Sequence, residues 1–213
     1  MTYIENIFLC LAIPMILSLL FTHGPARRFT LFVILGMAAC LLSAYVSSFF
    51  MGYYRTNTAV TAVEITPVCE EILKLMPRLF FYLIFEPDAK VLPGAAIAIA
   101  VGFATFENVC YLVENGAADF GFLLIRGLSA GALHILCGIF AGFAISYVFC
   151  HRWLQLTGTV GILGACVGFH AIYNLLVTGG GVWQSVGYFF PSFLILCLFV
   201  IRLLLPRIKK RLS

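Results

Sequence analysis

The chain has 213 residues, of which 62% are hydrophobic and only 10% are charged. A soluble globular domain has about 45–50% apolar and about 25% charged residues, and a disordered chain is poor in large apolar residues, so both classes are excluded. The formal net charge of +4 does not indicate a nucleic-acid partner, because the one dense basic run is the short tail 207–211. This composition is typical of an integral membrane protein in contact with the lipid bilayer.

Seven apolar stretches follow one another along the chain, each long enough to cross a bilayer as a helix of roughly 20 residues. They comprise residues 3–21, 29–51, 60–85, 91–113, 121–149, 159–177 and 182–205. We therefore predict an all-α, polytopic membrane helix bundle with about seven transmembrane helices, forming a single integral membrane domain over residues 1–213. The eight cysteines are scattered without a CxxC pair, which favours free thiols.

The basic residues of the loops predict the orientation of the bundle, since cytoplasmic loops carry an excess of Lys and Arg. With the N-terminus outside and the C-terminus inside, the inner side holds Arg27, Arg28, Lys90, Arg152, Arg207, Lys209, Lys210 and Arg211. The outer side then holds Arg55, joined by Arg126 if that residue lies at the surface. The charge difference predicts this orientation.

Small residues are concentrated in the fourth, fifth and sixth stretches. Three glycine pairs have the four-residue spacing that lets membrane helices approach closely: Gly127/Gly131, Gly138/Gly142 and Gly164/Gly168. We expect these three helices, together with the third, to form the interior of the bundle, and the first, second and last to surround them.

The interior stretches also carry ionisable residues. Because a charged side chain within a membrane has a large free-energy cost, residues of this kind indicate a function. The polar set comprises Glu64, Glu70, Glu71, Lys74, Arg78, Glu107, His134, His170 and Asn174. At 1.5 Å per residue, Glu70, Glu107, His134 and His170 all fall roughly 10–20 Å below the outer surface. This shared depth predicts one cavity that opens to the outer side.

The third stretch contains a charge pattern within one helix. Glu70 and Lys74 lie four residues apart on one face, while Glu71 points about 100° away. One carboxylate can therefore pair with Lys74 while the other enters the cavity. Thr66-Pro67 indicates either a helix that starts there or an ordinary proline kink.

Two histidines and a glutamate on separate helices are the ligand types of a catalytic zinc site. We predict Glu107, His134 and His170 as metal ligands and Glu70 or Glu71 as the general base. A metal-free pair of carboxylates is an alternative, as are purely structural roles for the histidines and for the Glu/Lys pair. Asn174 could orient His170, donate to a developing oxyanion, or join two helices.

Four short motifs occur in order, each within its own predicted helix. They are Glu70-Glu71-Ile-Leu-Lys74, Gly102-Phe103-Ala-Thr-Phe-Glu107-Asn108 with Tyr111, His134 with Gly138 and Gly142, and His170-Ala-Ile-Tyr-Asn174. Together they resemble the motifs of the PrsW-type intramembrane proteases, which belong to the CAAX protease and bacteriocin-processing superfamily. The family-like core spans about residues 60–177. Type II CAAX prenyl endopeptidases are less similar, because they have His where this chain has Glu107.

The resemblance implies an active site built from Glu70, Glu71, Glu107, His134 and His170, with zinc or with glutamates alone. It implies hydrolysis of membrane-anchored proteins, such as anti-sigma-factor-type regulators, in a bacterial cytoplasmic membrane. Two other functions are compatible with buried polar residues. A proton-coupled transporter is one, although no internal repeat is evident, and a noncatalytic membrane scaffold is the other.

Overall fold

The computed structural model describes residues 3–85, 87–116 and 120–212, with side chains up to residue 204. Within these ranges every regular element is helical and there is no strand. The seven main helices are α1 (Ile4–Ser18), α2 (Gly24–Tyr54), α3 (Thr66–Phe85), α4 (Leu92–Asn115), α5 (Phe120–Phe149), α6 (Gln155–Thr178) and α7 (Gly181–Leu212). The prediction of an all-α membrane bundle is confirmed. The backbone of the basic tail continues α7, and its side chains lie outside the described ones.

Five helical segments in the described part of the chain are long and apolar enough to cross a bilayer. They are Gly24–Tyr54, Ala89–Asn115, Phe120–Phe149, Arg152–Thr178 and Gly181–Leu204. The remaining two main helices differ from these: α1 has 15 residues, and α3 has 20 residues with four charged side chains. The number of helices that cross the bilayer and their orientation stay predictions.

Helix α3 continues an irregular helical segment. A short turn at Thr58–Val60 leads into a π-helical stretch at Thr61–Ile65, and the backbone of Thr66 is helical with φ −57° and ψ −47°. The alternative of a new helix that starts at Thr66 is therefore wrong, because helical backbone already precedes this residue. The π-helical stretch ends two residues before Pro67, which lacks the N–H that a regular helix needs.

Helices α2 and α4 cross with their backbones in contact. A Cβ atom on Gly36 would lie 2.1 Å from the carbonyl oxygen of Ile99, and one on Gly102 would lie 2.0 Å from that of Val33. Only glycine permits such an approach. The second apolar stretch therefore belongs to the interior, contrary to our expectation.

The predicted glycine pairs behave differently from one another. Gly138 and Gly142 on α5 face α4, where added Cβ atoms would lie within 3 Å of Ala100 and Ala96, so this pair is confirmed as a packing contact. Gly164 and Gly168 on α6 would meet nothing within 4 Å, and their predicted packing role is wrong.

The packing of the core follows from these close approaches. About half of the apolar segment of α5 is buried, and 44% of those of α2 and α4, against 22% for α6. Helix α3 packs against α2, α4 and α6, with the ionisable face of α3 turned inward. Four of its polar side chains are buried: Glu70, Glu71, Lys74 and Arg78.

Candidate active site

Lys74 lies at the centre of the polar cluster and its side chain is fully buried. Its Nζ is 2.6 Å from Oε1 of Glu71 and 2.9 Å from Nδ1 of His134. A buried ammonium group is tolerated only with such partners. The structure therefore pairs Lys74 with Glu71, three residues before it, and leaves Glu70 to the cavity.

Glu71 also determines which ring nitrogen of His170 carries the proton. Oε1 of Glu71 lies 3.1 Å from Nδ1 of His170. Because an ionised carboxylate only accepts hydrogen bonds, Nδ1 of His170 is the donor and carries the proton. In neutral His170, Nε2 then keeps its lone pair, and it lies 3.8 Å from Oε2 of Glu70. This arrangement is typical of a histidine oriented to bind a metal.

Glu70 supplies an unpartnered acceptor. Its Oε2 is buried without a hydrogen-bond partner. A buried polar atom in that state is unfavourable unless a cation, a proton or a water molecule meets it. One ligand atom each from Glu70, His134 and His170 lies within 4.8 Å of the others. One oxygen and two imidazole nitrogens are a donor set suited to zinc.

Glu107 occupies a bridging position on α4. Its Oε2 is 2.7 Å from Nε2 of His134, and its Oε1 is 3.1 Å from Nη2 of Arg126. Because Lys74 donates to Nδ1 of His134, Nε2 carries the proton and donates to Glu107. For His134 to bind a metal through Nε2, the proton must move to Nδ1 and Lys74 must turn to Glu71 alone. The site residues fit a metal ion once these two changes have taken place.

Arg126 on α5 is a site residue that the sequence analysis considered only as a possible surface charge. Its Nη1 donates to Oδ1 of Asn108 at 2.6 Å, and its guanidinium carbon lies 3.7 Å from the ring centre of Tyr111. Glu107, Asn108 and Tyr111 thus all contact Arg126. The signal was available, since an intramembrane arginine near a Glu-Asn-x-x-Tyr segment needs a partner.

Asn174 joins two helical segments. Its Nδ2 donates to the carbonyl oxygen of Ala62 at 2.7 Å, which ties α6 to the π-helical stretch before α3. Of the three roles considered for Asn174, the geometry favours this interhelical contact. The tie holds His170, one turn earlier on α6, level with α3.

The predicted residues surround one cavity of about 270 Å³. Its lining includes Glu70, Glu107, His134, His170 and Asn174. The four residues that the sequence placed at a similar depth therefore do line one cavity. Glu71 and Lys74 lie behind its wall, where Glu71 contacts His170 and Lys74 contacts His134.

A second group of ligand-type atoms adjoins the first. One ligand atom each from Glu71, Cys137 and Cys166 lies within 4.8 Å of the others. Oε1 of Glu71 is already occupied by Lys74 and His170. The cysteines in the described part of the chain are free thiols, as predicted, and these two pack in the apolar core.

Comparison with known proteins identifies the family. The model of the PrsW family intramembrane metalloproteases matches residues 24–204, most of the chain, and the chain belongs to this family. No curated protein and no solved structure matches it. The match extends beyond the motif region on both sides and includes α2 and most of α7. Membership makes this an integral membrane protein of a metal-dependent protease family, whose substrates lie in the membrane.

Proposed function

We propose that this chain is an intramembrane endopeptidase that hydrolyses peptide bonds of membrane-anchored proteins with the help of a bound zinc ion. The observation that carries the proposal is the convergence of Glu70, Glu107, His134 and His170 on one cavity inside the bundle. Family membership supports the reaction class, and the donor set supports the metal.

The two histidines hold the metal together with one of two carboxylates. The sequence favours Glu107 as the third ligand and Glu70 or Glu71 as the base, whereas the compact ligand group supports Glu70 as the third ligand. Glu71 is the weakest candidate for a base, because its Oε1 is shared by Lys74 and His170. A bound zinc ion would supply Lewis-acid activation of the scissile carbonyl and of water.

The chain's own residues orient the reacting groups and move the proton. Lys74 holds Glu71, and Glu71 holds the proton on Nδ1 of His170, so that Nε2 presents a lone pair. Arg126 holds Oε1 of Glu107 and leaves Oε2 facing His134. The carboxylate that does not bind the metal accepts a proton from the attacking water and returns it to the leaving amine.

The depth of the site supports cleavage near one membrane face. Glu107 and His170 each lie eight residues before the end of their helix, which corresponds to about 12 Å. In the orientation that the loop charges predict, this is the outer face. We propose that substrates, such as anti-sigma-factor-type regulators in a bacterial cytoplasmic membrane, enter from that face or laterally.

Cleavage of single-span peptides by the purified protein in liposomes tests this proposal. We expect fragments with the wild type, loss of cleavage on chelation, recovery with added zinc, and no cleavage by His134→Ala or His170→Ala. Each variant should remain folded by thermal melting. Cleavage that continues unchanged in chelator would contradict the metal and leave a glutamate-based protease. Absence of cleavage with every peptide, together with substrate-dependent flux across the liposome, would favour a transporter.

A further inference from the structure

A second polar cavity of about 300 Å³ lies between α1, α2, α3 and α4. Its hydroxyl-bearing lining is concentrated on α2, with Ser43, Ser47 and Ser48, and continues to Thr66 at the start of α3. We call it the serine cavity. It adjoins the cavity of the candidate site, whose lining extends to α5 and α6.

Two of these serines, Ser43 and Ser47, lie on a buried face of α2, whereas Ser48 is exposed. Ser43 and Ser47 are four residues apart, so both turn to the same side, and both are buried. Ser43 donates to the carbonyl oxygen of Cys40 at 2.8 Å, whereas Oγ of Ser47 has no hydrogen-bond partner. A buried hydroxyl without a partner in a polar cavity indicates water as its partner, because water meets such groups at little cost.

The inner end of the serine cavity reaches the carboxylates of the candidate site. It shares five lining residues with that site's cavity: Thr66, Glu70, Glu107, Tyr111 and Arg126. One of them, Glu70, carries the buried and unpartnered Oε2. Ile4 and Glu114 line it as well, at the helix ends on the predicted outer face. The cavity therefore extends from the end of the bundle to Glu70 and Glu107.

We propose that the serine cavity is a water-binding site that supplies the hydrolytic water to Glu70 and Glu107, separately from the substrate. At about 30 Å³ per molecule, it has room for about ten waters. Hydration of the cavity stands on its own, whereas the supply role rests on the proposed protease function. Because the serine cavity approaches the carboxylates from α2, water can reach them while a substrate segment occupies the other side, next to α5 and α6.

Native cysteines provide a direct test of hydration. Cys40 and Cys110 line the serine cavity, while Cys137 and Cys166 line an apolar cavity of about 750 Å³ between α5, α6 and α7. Cys40, Cys137 and Cys166 are all buried, with relative exposures of 6%, 3% and 3%. Cys40 lies about 21 Å from the outer end of α2. Only the thiolate reacts with a charged methanethiosulfonate reagent, and it forms only where water reaches it.

We expect the reagent, applied to the wild type in liposomes, to label Cys40 at least about tenfold faster than Cys137 and Cys166, as read by mass spectrometry of each peptide. Equal rates for the three thiols would overturn the proposal. Cys110, nearer the surface, serves as the positive control.

A filling variant tests the supply role. Ser47→Leu replaces a lining hydroxyl with a bulky apolar side chain. If Ser47→Leu does not fold, Ala44→Leu fills the cavity from an exposed lining position. We expect about tenfold slower labelling of Cys40 and about tenfold slower peptide cleavage, with bound zinc unchanged. Val46→Leu adds volume on the same helix but outside the cavity. This variant should show the wild-type rates of Cys40 labelling and of peptide cleavage.

The outcomes separate the two proposals. Slower labelling of Cys40 without slower cleavage would overturn the supply role. Fast labelling of Cys40 in a protein that cleaves no peptide would overturn the protease function and leave the water site in place.

Discussion

Lys74 Nζ lies 2.9 Å from Nδ1 of His134, in a contact that joins helices α3 and α5 across 60 residues of sequence. The ammonium group can only donate, so this contact places the imidazole proton on Nε2, where it meets Glu107. A metal on Nε2 of His134 requires the opposite tautomer. The Lys74–His134 contact and metal binding by His134 are thus mutually exclusive.

Removal of Lys74 should destabilise the protein strongly. Lys74→Met leaves the buried carboxylate of Glu71 without its cation, and breaking a buried ion pair in this way costs about 3–5 kcal/mol. The double variant Lys74→Met/Glu71→Leu removes both charges and should recover most of the loss. Thermal unfolding in detergent measures both. A single variant as stable as the wild type would contradict the pairing.

Zinc content should distinguish the two carboxylates of the site. If Glu107 is the third ligand, Glu107→Gln loses the metal, whereas Glu70→Gln keeps about one zinc per chain and loses only cleavage. If Glu70 is the ligand, the two results exchange. Elemental analysis of the purified variants decides between them, with Glu64→Gln as a control outside the ligand group. Full zinc retention in both variants would contradict a carboxylate ligand from either position.

Arg126 should act as a positioning residue for Glu107. Arg126→Lys keeps the charge but loses the planar fork that contacts Glu107 and Asn108 and stacks on Tyr111. We expect cleavage or zinc affinity to fall about 10–100-fold, as is typical for residues that orient metal ligands. Arg152→Lys, on the predicted inner side, is the matched control and should leave both unchanged. Wild-type cleavage and zinc affinity in Arg126→Lys would exclude this role.

The α2–α4 contact should not tolerate a single methyl group. Gly36→Ala and Gly102→Ala each place a Cβ about 2 Å from a backbone carbonyl oxygen, so the helices must separate. Overpacking of this kind lowers the free energy of unfolding by about 1–3 kcal/mol. We expect a value near the top of this range, because the added methyl group meets backbone atoms that cannot move aside easily. Gly94→Ala on the same α4, with nothing within 4 Å of its Cβ, should be neutral or slightly stabilising. Equal melting temperatures for the three variants would contradict the close crossing.

Much of the site could be predicted from local spacing along the chain. An ionisable residue in a membrane helix must face a partner or a cavity, so Glu70, Glu107, His134 and His170 were assigned to a shared cavity, and all four line it. The place of Arg126 in a membrane helix indicates that it needs a partner. Which partners it meets could not be predicted, because all three lie on another helix and spacing reports only on neighbours along the same helix.

The sequence by itself determined the class of structure and most of the residues that line the candidate site. The length and apolarity of its stretches require membrane helices, and the positions of its polar residues determine their depth. The tertiary structure alone decided which groups meet. Glu70 and Glu71 both lie within one turn of Lys74, and only the packing of α3 against α6 turned Glu71 to Lys74 and His170 and left Glu70 in the cavity. The physical reason is that helical spacing defines a residue's place on its own helix, whereas the choice of neighbour depends on where helix backbones can approach one another.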